Sequence, residues 1–280
     1  MTVKYCLNHC KNRLAEIGVD DPNFEARCLV MKVLDFNSTM LISHSQDEVD
    51  GSMLATLNSM IERRADKEPL QYILGSWSFY GIDLFVGNGV LIPRDDTEIV
   101  VNLCIDFLRN RREKKVVDLC AGSGAISLAL EKISKADVYS VELSEIAFEY
   151  LRKNVDYNKS SIECIKGDIF ASHADFEDNS LDLIVSNPPY IKSEDINTLQ
   201  AEVQKEPKMA LDGGTDGFDF YRAIVRLWSK KLKKNGALAF ELGENQAEYV
   251  AKLMQNAGFV NIKTELDFGK TQRAIIGTLP

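Results

Sequence analysis

The sequence predicts an α/β fold: a doubly wound, mostly parallel sheet of seven strands, preceded by a small helical bundle and joined to it by a β-hairpin. Three observations carry that reading. From residue 114 onward, apolar runs of strand length alternate with helical patterns. Residues 1–68 carry apolar positions at helical spacing. Between the two, residues 69–93 are rich in aromatic and β-branched side chains punctuated by glycine.

In the first segment, Val3, Cys6, Leu7, Cys10 and Leu14 recur at helical spacing until Gly18. Asp21-Pro22 is a favourable helix start, and Phe24, Cys28, Leu29, Val33 and Leu34 continue the second helix. Ser45 followed by Glu48 resembles a capping box ahead of a third helix through Leu54, Leu57, Met60 and Ile61. On physics alone this bundle, residues 1–68, is a dimerisation unit, a lid or a substrate-docking domain. Residues 69–93 form the linker, read as a hairpin of Gln71 to Gly81 against Ile82 to Val86. Acids at Asp95, Asp96 and Glu98 suit the first turn of a helix at 97–110, opening a domain of residues 94–280.

Composition narrows the function. The chain has 280 residues, 45% hydrophobic and 27% charged, with a net charge of −9. That charge argues against broad affinity for a nucleic-acid backbone. Residues 1–80 hold eight Lys/Arg against eleven Asp/Glu, so the docking segment is itself net −3. No apolar run approaches the roughly 20 residues that span a bilayer, and the start carries no signal-peptide core, so a cytoplasmic protein is expected. A monomer is expected as well, although nothing in the sequence fixes the oligomeric state. Six cysteines lie scattered without the spacing of a zinc site, and only three histidines are present, so no metal is expected.

Strands are predicted at 115–119, 137–142, 161–165, 181–186, 235–241, 261–267 and 272–278. Helices are predicted at about 123–134, 144–157, 216–233 and 245–257. The first strand leads into Cys120-Ala121-Gly122-Ser123-Gly124, where glycine allows close backbone approach and a helix start offers free N–H groups. A lone Gly-x-Gly fits a dinucleotide fold equally well. Glu142, at the end of the next strand, is placed to accept both hydroxyls of a ribose. The turn lacks the full glycine set of a pyrophosphate site. S-adenosylmethionine, with a ribose and no phosphate, fits both facts. Asp168 at the third strand end would accept from an adenine amino group, with Ile169 covering the ring.

The fourth strand ends in Asn187-Pro188-Pro189-Tyr190. Two prolines end the strand rigidly, and Pro189 holds Pro188 in extended geometry. The Asn187 side-chain oxygen and the Pro188 carbonyl then form a pair of acceptors suited to a planar NH2 group. Tyr190 offers a flat face to the plane that carries it. The bland alternative is a proline-stiffened turn capped by Asn.

Asn-Pro-Pro-Tyr resembles the catalytic loop of S-adenosylmethionine-dependent methyltransferases that modify planar or amide nitrogens. With the other stations in order, the chain resembles a class I, Rossmann-like methyltransferase. Pro69-Leu70-Gln71-Tyr72-Ile73-Leu74-Gly75, Ile92-Pro93-Arg94-Asp95-Asp96-Thr97-Glu98, Asn187-Pro188-Pro189-Tyr190-Ile191 and Glu206-Pro207-Lys208-Met209-Ala210-Leu211 together resemble the HemK/PrmC family. These are the peptide-chain release factor glutamine-N5 methyltransferases, and the resemblance covers nearly the whole chain. It implies S-adenosylmethionine as cofactor, the glutamine of the Gly-Gly-Gln loop of class 1 release factors as substrate, and Asn187 to Tyr190 as catalytic and substrate-binding residues. Asn187 is also counted with the cofactor residues Cys120 to Gly124, Glu142, Asp168 and Ile169.

Two residues depart from the family pattern. Cys120 stands where glycine usually opens the cofactor turn, which implies ordinary negative φ there. Asp95 stands where proline is frequent. Retained activity is expected, since neither touches the Asn187 loop. Phe79, Tyr80 and Arg94 either wall the cofactor pocket or, for Phe79, fill the hairpin core. The rival reading is an N6-adenine methyltransferase acting on nucleic acid, because adenine presents the same NH2; it expects a basic groove, which the charge balance disfavours. A non-catalytic scaffold is the remaining alternative.

Overall fold

In the computed structural model, which describes residues 1–280, the chain divides into two units: Met1–Ser76 with Gln200–Lys205, and Trp77–Leu199 with Glu206–Pro280. The first contains α1 (Val3–Glu16), α2 (Pro22–Leu34), α3 (Ser38–Ser43), α4 (Gly51–Ala65) and α5 (Leu70–Leu74). Asp21 caps α2 by accepting from Phe24 N at 2.9 Å, with Pro22 in the first turn. Helix α4 starts later than the Ser45–Glu48 pattern implies. Its cap is Asp50, which accepts from Ser52 N at 2.7 Å. Cys10, Leu14, Leu29, Leu57 and Ile61 are buried together with this unit's other apolar stripes. Arg64, only 6% exposed, forks onto Glu25 at 2.7 and 3.1 Å and pairs with Glu202 at 2.8 Å. The short segment 200–205 is thus tied to the helices by a buried charge.

The linker is less extended than its composition suggests. Residues Leu70–Leu74 form α5, because Pro69 sits at its start and Gly75, at φ 72°, supplies the left-handed stop. The hairpin is confined to β1 (Ser76–Phe79) and β2 (Ile82–Phe85).

The second unit continues with α6 (Thr97–Leu108), β3 (Lys115–Leu119), α7 (Ala125–Ser134), β4 (Asp137–Glu142), α8 (Glu145–Tyr157), β5 (Glu163–Lys166) and β6 (Leu181–Ser186). After a long connection come α9 (Asp219–Trp228), β7 (Leu232–Glu241), α10 (Ala247–Asn256), β8 (Val260–Leu266) and β9 (Gln272–Thr278). Seven strands form one sheet in the order β5-β4-β3-β6-β7-β9-β8. The first five pair in parallel, and β9 is antiparallel to both neighbours. Both faces are covered, as continuous apolar strands require. Val116, Leu183, Val185, Ala237 and Ala239 pack with α6, α7 and α8, whereas Val117, Ile184, Leu238 and Phe240 pack with α9 and α10. Strand order reverses between β3 and β6, which opens a crevice at their carboxyl ends. No helix is long and apolar enough to cross a membrane.

Candidate active site

Register builds the site. Leu119 pairs with Val141 on one side and Ser186 on the other, and Ser186 pairs with Phe240. The residues just beyond this aligned row are therefore Cys120, Glu142, Asn187 and Glu241. Ser186 Oγ donates to the Leu119 carbonyl at 2.6 Å, fastening the ends of β3 and β6 together.

The turn after β3 is tighter than residue type alone implies. Cys120 has φ 62°, with Gly122 at 56° and Gly124 at 83°. The expected negative φ at Cys120 is therefore corrected. The chain must reverse at once, with Ala121 N donating to the Val141 carbonyl at 3.1 Å and Gly124 N to the Ala121 carbonyl at 2.8 Å. A Cβ in the left-handed region costs about 1–2 kcal/mol, and this turn bears that strain. Burial pushes the Cys120 thiol up, which favours its protonated form. Gly124 has a packing reason as well: a Cβ there would lie 2.7 Å from Leu151 Cδ1.

Glu142 faces the pocket, 8% exposed. Its Oε2 accepts from Gly122 N at 2.8 Å and its Oε1 from Ser144 N at 2.7 Å. Each oxygen keeps a further lone pair, and burial raises the pKa of the carboxyl. Asp168 Oδ1 accepts from Phe170 N at 2.9 Å, with Ile169 buried beside it, and both line the same pocket. Those residues fit a ribose diol and an amino-bearing ring, and the turn offers no three-glycine nest for a pyrophosphate.

Across the pocket, the Arg94 guanidinium pairs with Glu206, whose other oxygen accepts from Ile92 N at 2.9 Å. Burial raises the Glu206 pKa. This pairing joins two stretches that the sequence leaves 112 residues apart. Arg94, Met209 and Phe220 line the pocket, while Phe79, at 2% exposure, lies in the core that α6 and α7 share with the sheet, with Tyr80 packed against it. Asp96, at the start of α6, makes no side-chain cap; it pairs with Arg273 at 3.4 Å, and Glu98 instead accepts from Tyr80 N at 2.9 Å. Asp95 is exposed.

Asn187 and Pro189 line the pocket with Cys120 to Ser123, Glu142, Asp168 and Ile169. Gly124 lies behind that wall and Pro188 is buried. Tyr190 turns elsewhere. Its hydroxyl donates to Glu241 Oε1 at 3.2 Å, and its carbonyl accepts from Gln246 Nε2 at 2.9 Å. Gly213 lets the loop pass, since a Cβ there would come within 2.7 Å of Tyr190 Cα.

Sequence reasoning missed three buried groups. Thr97 Oγ1 donates to Glu241 Oε2 at 2.6 Å and accepts from Asn187 Nδ2 at 3.3 Å. Glu241 ends β7 just as Glu142 ends β4, so the strand-end rule pointed to it. Asp118, fully buried, accepts from Ser127 N at 3.1 Å and Ser127 Oγ at 2.6 Å through Oδ2, while Oδ1 has no partner. Burial pushes it up to about 7.

Residues 6–75 match the PrmC N-terminal domain and residues 93–216 the methyltransferase small domain. The release factor glutamine methyltransferase of Fusobacterium nucleatum is 38% identical over 94% of this chain and 75% of its own length. That of Geobacter sulfurreducens is 37% identical over 99% of this chain and 97% of its own. That of Clostridium acetobutylicum is 35% identical over 99% and 98%. Among solved structures, the hMettl16 catalytic domain in complex with a MAT2A 3′UTR hairpin superposes with TM-score 0.58 at 14% identity, covering 82% of this chain and 83% of that one. A methyltransferase from Pyrococcus furiosus gives 0.51 at 18%, covering 72% and 90%. At such identities the structural likeness speaks to fold alone.

Proposed function

The chain belongs to the release factor glutamine methyltransferase family, and from that premise we propose that it methylates the side-chain amide nitrogen of the Gly-Gly-Gln glutamine in class 1 peptide-chain release factors. The single observation that carries the reading is the row of strand ends. It sets the Cys120 turn and Glu142 beside Asn187 on one pocket wall.

Glu142 would hold the ribose of S-adenosylmethionine through its free lone pairs, with Asp168 and Ile169 taking the adenine. When bound, the cofactor supplies a methyl group on a sulfonium that departs as a neutral thioether. A carboxamide nitrogen is a poor nucleophile because its lone pair is delocalised. Asn187 Oδ1 and the Pro188 carbonyl would accept its two hydrogens, fix its orientation and raise electron density on nitrogen. No histidine lines the pocket, and the two carboxylates in it stand at the cofactor side. Positioning, rather than a strong base, then supplies most of the rate, and the surplus proton of the methylated, now acidic nitrogen passes to water. A glutamine side chain is a small determinant, so discrimination among proteins falls to docking by the amino-terminal helices.

The test is methyl transfer from labelled S-adenosylmethionine to a purified class 1 release factor, to its Gly-Gly-Gln glutamine-to-alanine variant and to an oligonucleotide panel. Label on the unaltered factor alone supports the reading. Label on oligonucleotides alone overturns it and makes the Asn187 loop an adenine clamp.

A further inference from the structure

We propose that Glu241 is a positioning residue for methyl transfer: acting through the Thr97 hydroxyl, its carboxylate fixes which way round the Asn187 side-chain amide stands. The inference rests on the reading that Asn187 receives the substrate NH2.

The argument is one of donors and acceptors. An ionised carboxylate only accepts, and a threonine hydroxyl has one proton to give. With Thr97 Oγ1 at 2.6 Å from Glu241 Oε2, that proton is committed to the carboxylate. Only lone pairs remain on Thr97 for its other neighbour. Asn187, 3.3 Å away, must therefore meet Thr97 with Nδ2. Its Oδ1 is turned away from Thr97 and kept as an acceptor. Reversing the amide would put Oδ1 against those lone pairs.

Burial gives the constraint its force. Glu241 is 2% and Thr97 4% exposed, so water does not offer a substitute partner. Charged and titratable groups from each packed element face Glu241. From the loop after β6, the Tyr190 hydroxyl donates to Oε1 at 3.2 Å; from α9, the Tyr221 hydroxyl donates to the Glu241 carbonyl at 2.9 Å. Arg273 on β9 acts favourably on the carboxylate, and Asp96 before α6 acts against it. Burial, the largest of these influences, pushes Glu241 up to about 7. Protonation at Oε2, the oxygen that Thr97 meets, turns it into a donor, frees the Thr97 proton and releases the amide. Activity therefore falls as pH drops through that value.

The test uses Glu241→Gln, Thr97→Val and Thr97→Ser in the full chain, with steady-state transfer to the release factor and nitrogen-15 spectra of the Asn187 side-chain amide without substrate. Glu241→Gln, of the same shape, is expected to lower kcat at least about tenfold. KM for the cofactor should stay within about twofold, and the acidic limb of the pH profile near 7 should disappear. Thr97→Val should reproduce the loss, and Thr97→Ser should restore most of it. In the unaltered protein the Asn187 amide signals should shift with a midpoint near 7, and in Glu241→Gln they should not. An unchanged kcat and pH profile in Glu241→Gln, with active unaltered enzyme, overturns the relay. No transfer by the unaltered enzyme overturns the substrate reading instead, and the amide titration then decides the relay by itself.

Discussion

Two turns leave adjacent strands side by side, and they are held by opposite means. The turn after β3 is shaped by its backbone: Cys120, Gly122 and Gly124 all have positive φ, and its side chains make few commitments. The loop after β6 has no positive φ from Asn187 to Tyr190. Its shape comes from two prolines and from hydrogen bonds to three side chains outside it, with the Asn187 and Tyr190 side chains donating to Thr97 and Glu241 and the Tyr190 carbonyl accepting from Gln246. A backbone-shaped turn lets a ligand come close to the main chain and tolerates a change of side chain at a modest cost in strain. A loop pinned by side chains aims one polar group accurately, and each pinning residue becomes indispensable.

That contrast is broken most directly at Asn187. Asn187→Ala should slow transfer to the release factor by about a hundred- to a thousandfold, the scale of losing one aimed hydrogen-bonding group in a reacting site. A single-turnover assay reads it. On the other side of the pocket, Glu142→Ala should weaken cofactor binding by about ten- to a hundredfold, as charged hydrogen bonds are lost. Titration calorimetry with S-adenosylmethionine checks that value.

A smaller effect lies beneath the β3 turn, at Asp118. Its folded pKa, about 7, stands above the ordinary carboxylate value of 3.8, so the folded state binds the proton more readily than the unfolded one. Its contribution to stability is then fully present below about 4 and is lost as pH rises through about 7. Asp118→Asn should remove that slope, so that its stability relative to the unaltered protein improves between pH 5 and pH 8. Denaturant midpoints at the two pH values measure it. Smallest of all, Cys120→Gly should relieve the left-handed strain. The gain is at most about 1 kcal/mol, since glycine also loosens the unfolded chain. Thermal melting reads this change, and a clear loss of stability would mean that the Cys120 side chain contributes packing beyond its strain.

The ends of the strands were legible in the sequence because a buried parallel strand is a short apolar run stopped by a polar residue. Glu142 and Asn187 follow that pattern at the ends of β4 and β6, whereas Asp168 stands two residues beyond the partly buried edge strand β5, and all three line one pocket. Other features depend on quantities that the sequence does not display. The sign of φ at Cys120 follows from how sharply β3 must turn into α7, not from cysteine's own preference. Residues 70–74 hold aromatic and β-branched side chains, yet Pro69 and Gly75 frame a single helical turn, and five residues are too few for period to decide. The partnership of Thr97 with Glu241 spans 144 residues and exists only because α6 lies over the end of β7. Asp96 and Glu98 show the same limit. Acids in a first turn suggest capping, and here they serve Arg273 and Tyr80 N instead.

The central claim is a division of labour between the two turns, and measuring cofactor affinity and single-turnover transfer together in Asn187→Ala and Glu142→Ala tests it most directly. The account predicts that Asn187→Ala binds S-adenosylmethionine within a few-fold of the unaltered protein while losing transfer. It also predicts that Glu142→Ala loses affinity and recovers much of its transfer at saturating cofactor. Loss of both properties together in Asn187→Ala would contradict the account and assign that loop a structural role.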